Sequence, residues 1–127
     1  MIKDGDLTVL TSLPAQNSNA NGTALDLINL PIPDGVQVCI SLPALPALAN
    51  AQTMIVKLQD SADNSSCADV AGLATLTATG AGGVGSAAAS LTQRVPLTLR
   101  RYVRVNVAAS ATAGDSTALK ATLALAF

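Results

Sequence analysis

The sequence predicts an all-β chain, a single antiparallel β-sandwich of jelly-roll type over residues 1–127. Three observations carry this. Apolar residues recur with a period of two in stretch after stretch, the spacing of a strand buried on one face. Gly, Pro, Asn or Asp separates those stretches and leaves about eight short strands. Every acidic residue is Asp and none is Glu; Asp favours turns and caps, whereas Glu is a good helix former. One domain is the natural count at this length.

The organising stretch runs from Leu97 to Val107. Val103, Val105 and Val107 point one way, and Tyr102, Arg104 and Asn106 the other, so it reads as a half-buried strand. Before it, Asp4-Gly5 signals a turn and Leu7 to Leu10 a short strand. Pro14 to Gly22 reads as a polar loop, Thr23 to Ile28 as a second strand, and Pro31 to Gly35 as a break. Val36, Val38 and Ile40 share one face of the next strand, and Ser41 to Asn50, with Pro43 and Pro46, is irregular. Thr53 to Gln59 is the second-best strand, with Met54, Val56 and Leu58 inward and Lys57 and Gln59 outward. Asp60 to Ser66 reads as a turn-rich loop, Leu73 to Thr79 as a weaker strand, and Gly80 to Ser90 as a mobile loop or a short helical piece. Ala108 to Asp115 is a small-residue loop. Leu119, Ala121, Leu123, Leu125 and Phe127 then face Lys120 and Thr122 across a closing strand.

Composition narrows the function. Half the residues are hydrophobic, yet aromatics are only 2%. A core of Ala, Val and Leu gains ~0.8 kcal/mol per buried CH₂, so it is thin, and partners are expected to add stability. Charged residues are 12%, about half the usual ~25%, which leaves neutral surface for assembly. A net charge of −1 provides no basic field for nucleic acid. No apolar run is long enough to span a membrane. Met1 to Asp6 has no apolar signal-peptide core, which predicts synthesis in the cytoplasm. Cys39 and Cys67 would permit one bridge, but two buried free thiols are the favoured reading.

The chain offers little to catalysis. It has no His, hence no imidazole base and no Ser-His or Cys-His pair. Neither cysteine has a basic neighbour in sequence. Gly80 to Gly85 matches the G-x-G-x-x-G dinucleotide pattern, but a β ladder follows where a crossover helix should, and the acidic ribose partner is missing. Asp60, Asp63, Asn64 and Asp69 lack the spacing of a calcium loop and read as a capped turn. No enzyme activity, cofactor or metal is expected.

Four of the cations, Arg94, Arg100, Arg101 and Arg104, fall in one short region. They read either as a solvated outer face of a sheet or as a contact surface for acidic groups on a protein partner. Arg and Tyr are enriched where interfaces concentrate energy. The candidate interface is therefore Arg94, Arg100, Arg101, Tyr102, Arg104 and Asn106. Nucleic acid fits poorly, since stacking platforms need several aromatics.

Met54-Ile55-Val56-Lys57-Leu58-Gln59-Asp60-Ser61-Ala62-Asp63, then Arg101-Tyr102-Val103-Arg104-Val105-Asn106-Val107, a small-residue loop and a terminal alternating strand resemble the jelly-roll capsid cement proteins of tailed bacteriophages. The likeness covers roughly the C-terminal two-thirds of the chain and is loose in the proline-rich N-terminal part. It implies a β-sandwich that binds the exterior of a phage head and bridges neighbouring major capsid proteins, with no catalytic residues. The expected partners are the major capsid protein and the chain itself, as a homodimer or homotrimer, with neither nucleic acid nor membrane. The rival expectation is a carbohydrate- or host-surface-binding sandwich on the virion.

Overall fold

The computed structural model describes residues 3–26, 37–70, 75–95 and 100–126. Ten strands form among them: β1 (Lys3–Ser12), β2 (Asn19–Asn21), β3 (Leu25–Asp26), β4 (Gln37–Leu42), β5 (Thr53–Ser61), β6 (Ala68–Asp69), β7 (Leu76–Thr79), β8 (Ala89–Arg94), β9 (Tyr102–Ala109) and β10 (Lys120–Ala126). One sheet has the order β1-β10-β4-β8. The other has the order β2-β9-β5-β6, with β3 also on β9 and β7 also on β5. All these pairings are antiparallel.

β2 and β3 lie along successive parts of β9, and β6 and β7 along successive parts of β5. Each couple is one interrupted strand. Counted so, the chain passes back and forth between two four-stranded sheets in the jelly-roll order, with its first and last strands side by side. The predicted fold class is the observed one.

The core lies between the sheets. Val38, Ile40 and Leu42 come from β4, Met54, Val56 and Leu58 from β5, Val103, Val105 and Val107 from β9, and Leu123 and Leu125 from β10. These are the inward positions of strictly alternating strands. Leu45 and Leu48, from the irregular stretch after β4, complete the core and are almost wholly buried.

Several boundaries differ from expectation. The organising strand, β9, begins at Tyr102, with Arg100 and Arg101 before it. Leu97–Leu99 lie outside the described residues, as do Ile28, the Pro31–Gly35 break, Val36, Leu73 and Phe127. Asp4-Gly5 does not end a strand: β1 runs through it, and the register shifts between Lys3 and Thr8, as a glycine-marked bulge allows. The polar loop contains β2, because two poor strand formers are held by ladder pairing to β9. β8 occupies the end of the low-complexity run and the residues before Val95, where no strand was expected. Asp60 and Ser61 close β5 as buried strand residues instead of opening a loop. Both cysteines are free, but they are half-buried rather than buried.

The Gly-rich segment is neither helical nor loose. Leu45 and Ser86 exchange backbone hydrogen bonds at 2.9 and 3.1 Å, and the Ala81 N–H donates to Gly85 O at 3.1 Å. Gly85 has φ 76°, and a Cβ there would sit 1.9 Å from the Leu45 carbonyl oxygen. Gly83 has φ 73° and open space around it. Gly83→Ala should therefore cost about 1–2 kcal/mol for the left-handed backbone alone. Gly85→Ala should cost a further ~1–3 kcal/mol, because two backbones must separate. Thermal unfolding of the two variants checks the order, and equal melting temperatures would contradict the pinned turn.

Candidate functional site

The outer face of the β2-β9-β5-β6 sheet is set by the β5–β9 register, in which Lys57 faces Asn106, Gln59 faces Arg104 and Ser61 faces Tyr102. Since Val103, Val105 and Val107 face the core, Tyr102, Arg104 and Asn106 must face out.

These outward residues form a cross-strand ladder. The Arg104 Nε–H donates to Gln59 Oε1 at 3.0 Å, and Gln59 Nε2–H donates to Asp69 Oδ1 at 3.0 Å. Asp69 Oδ2 lies 3.6 Å from Lys57 Nζ. Three strands are thus tied by one chain of side chains. One row away, Asn106 Nδ2–H donates to Asn21 Oδ1 at 2.8 Å, joining β9 to β2. At the end of the ladder, Arg101 makes a two-pronged contact with Asp26, Nε to Oδ1 at 2.7 Å and Nη2 to Oδ2 at 2.9 Å. Its guanidinium also lies 5.0 Å from the centre of the Tyr102 ring, within cation–π range. The fork with Asp26 holds the Arg101 pKa above its ordinary value.

The six predicted residues do not share one place. Arg101, Tyr102, Arg104 and Asn106 come together on or beside this face. Arg94 ends β8, in the opposite sheet. Arg100 turns back to the end of the core, where Asp60 occupies an inward position of β5. Its backbone N–H donates to Asp60 Oδ2 at 3.1 Å, Nε–H to Oδ1 at 3.0 Å, and Nη2–H to both Oδ1 at 2.8 Å and the Asp60 carbonyl at 2.9 Å. The Asp60 side chain is only 10% exposed against 41% for Arg100. This is a clamp that satisfies a buried carboxylate, and it holds the Arg100 pKa above its ordinary value. Of the β9 arginine group, Arg104 is the one whose recorded partner among the described residues is a neutral amide, not a carboxylate.

The carboxylates weighed as calcium ligands are employed elsewhere. Asp63 Oδ1 accepts the Ser65 and Ser66 backbone N–H groups at 2.9 and 3.1 Å and the Ser61 hydroxyl at 3.0 Å. Ser61 Oγ in turn accepts the Asp63 and Asn64 N–H groups. This is the capped turn expected from sequence. The two serine amides lead in holding the Asp63 pKa below 3.8. Among the described residues no three metal-ligating side chains converge. Sequence reasoning missed Gln59 and Asn21 as ladder members. Only the register, which brings them opposite Arg104 and Asn106, identifies them.

No protein-family model matches the chain, and no curated protein matches it. Among solved structures, the chain is similar to a protein of the disulfide-linked pili that form Bacillus endospore appendages, at 17% identity and a TM-score of 0.43, over 98% of this chain and 82% of that one. It is also similar to a chain of the naturally occurring empty particles, the top component, of Cowpea mosaic virus, at 13% identity and a TM-score of 0.49, over 100% of this chain and 83% of that one.

Two outcomes are expected. Asp60→Ala should lower the melting temperature more than Asp69→Ala, because the first removes several charge-assisted hydrogen bonds at the core end and the second a solvent-screened pair; thermal melts compare them. Asp63 has a depressed pKa in the fold, so its contribution is whole above the ordinary carboxylate value and is lost as pH falls through the folded value. The gap in melting temperature between wild type and Asp63→Ala should therefore be widest near neutrality and close in acid. A gap independent of pH would contradict that assignment.

Proposed function

We propose that the chain is a structural virion subunit, a capsid cement or decoration protein. It binds the outer surface of a phage head, bridges neighbouring major capsid proteins, and works without catalysis. The observation that carries this reading is the ladder face: a sheet surface with side chains fixed in place by hydrogen bonds and one arginine, Arg104, whose partner is a neutral amide. Such a surface suits docking on another protein, since ordering costs are already met before contact. The sequence likeness to cement proteins falls on the two strands, β5 and β9, that build it. Many modest contacts of this kind, repeated across a shell, reinforce it by multivalency.

A sugar-binding role has less support. Glycan sites commonly use an exposed aromatic platform, and the Tyr102 ring is already approached by Arg101. Catalysis has no histidine or glutamate to draw on.

The test is rebinding to heads stripped of this protein. Wild type should bind and raise the heat survival of the heads. Arg104→Ala should weaken binding by about tenfold, ~1.4 kcal/mol, and Lys57→Ala by less. Failure of the wild type to bind heads would remove the proposal, and equal binding by the two variants would remove Arg104 from it.

A further inference from the structure

The ladder face has one positive charge in excess, and it sits on Arg104. Lys57 and Asp69 cancel on this face, and so do Arg101 and Asp26. Arg104 is half-buried, and its Nε–H is held by Gln59 Oε1. Among the described residues nothing accepts from its two Nη groups.

The hold on Nε has a fixed direction. The Asp69 carboxylate can only accept, so the Gln59 NH₂ turns to it at 3.0 Å and the amide oxygen turns to Arg104. Asp69 is itself anchored by Lys57 Nζ at 3.6 Å. With Nε engaged, the edge formed by the two Nη groups is the one left for a two-pronged contact. The other described carboxylates are committed or distant. Asp60 belongs to Arg100, Asp63 to its own turn, and Asp115 to Thr117 in the loop before β10. Asp4 and Asp6 belong to β1, in the opposite sheet.

We infer that Arg104 seats an acidic side chain, Asp or Glu, presented by the shell protein. The inference rests on the shell-docking reading above and names the chemistry of its partner. In the isolated chain water solvates the guanidinium. Docking removes that water, and a charge buried without a counter-charge opposes binding. A carbonyl or hydroxyl would satisfy the donors and leave the charge uncompensated. A carboxylate does both, accepting two parallel N–H bonds from the free edge. Gln59 is then a positioning residue: it orders the guanidinium before contact without neutralising it.

Two variants of the full chain test this, with heads stripped of the protein as the probe. Gln59→Glu is nearly isosteric and puts a carboxylate on Nε, so that Arg104 is matched inside its own chain as Arg100 and Arg101 are. It should keep a cooperative melt and bind heads about tenfold more weakly than wild type. Arg104→Lys, bound at saturating concentration and treated with a carbodiimide, should gain a cross-link from position 104 to an Asp or Glu of the head. The amine displaces the activated carboxyl's urea and leaves an amide, which peptide mass spectrometry locates. Wild type that fails to bind heads would remove the docking reading and this inference together. If wild type binds but Gln59→Glu binds equally well, or position 104 gains no cross-link, the carboxylate is overturned and the docking stands. Should Gln59→Glu lose its cooperative melt, the cross-link alone decides.

Discussion

From Met54↔Ala109 to Ser61↔Tyr102, β5 and β9 face each other across eight residue pairs. Displacing one strand by a single residue would turn Val103, Val105 and Val107 to solvent and drive Arg104 and Asn106 into the core. Both faces of the sheet depend on this pairing. Inward, it brings Met54, Val56 and Leu58 against the three valines, all buried. Outward, it sets Gln59 opposite Arg104, so the ladder exists only in this register. The core and the candidate site are two readings of one alternation.

That alternation is also what made the fold legible. β4, β5, β9 and β10 follow period-two patterns with mostly Val, Ile and Leu inward, and each is evident from sequence. β2 and β8 were not. Asn19-Ala20-Asn21 has no apolar face to announce a strand; its place comes from β9, a long-range partner that local pattern does not contain. β8 alternates Ala89, Leu91 and Gln93 with Ser90, Thr92 and Arg94, but small and polar side chains make the contrast faint. The glycine run reads as a mobile loop or a short helical piece because its pinning comes from Leu45 and Asn50, far away in the chain.

The candidate site was partly legible for a related reason. Period two placed Tyr102, Arg104 and Asn106 on one face. It could not place Arg100 and Arg101, which precede the strand, or Arg94, which belongs to the other sheet. Nor does sequence show which cation is already matched. Asp60 takes Arg100 and Asp26 takes Arg101, because the register and the β3 pairing bring those carboxylates close. Of the three arginines around the start of β9, two are thus matched to carboxylates, and the third, Arg104, bonds a neutral amide.

The distribution of charge follows from this pairing. Asp26, Asp60, Asp63, Arg94, Arg100 and Arg101 gather where β5 ends and β9 starts, while the four loops at the other end, residues 13–18, 43–52, 80–88 and 110–119, hold Asp115 alone. A chain with so few charges uses them as internal clamps, where Asp60 and Arg100 close the end of the core. Placing the clamps at one end leaves the four loops at the other with Asp115 as their one charge.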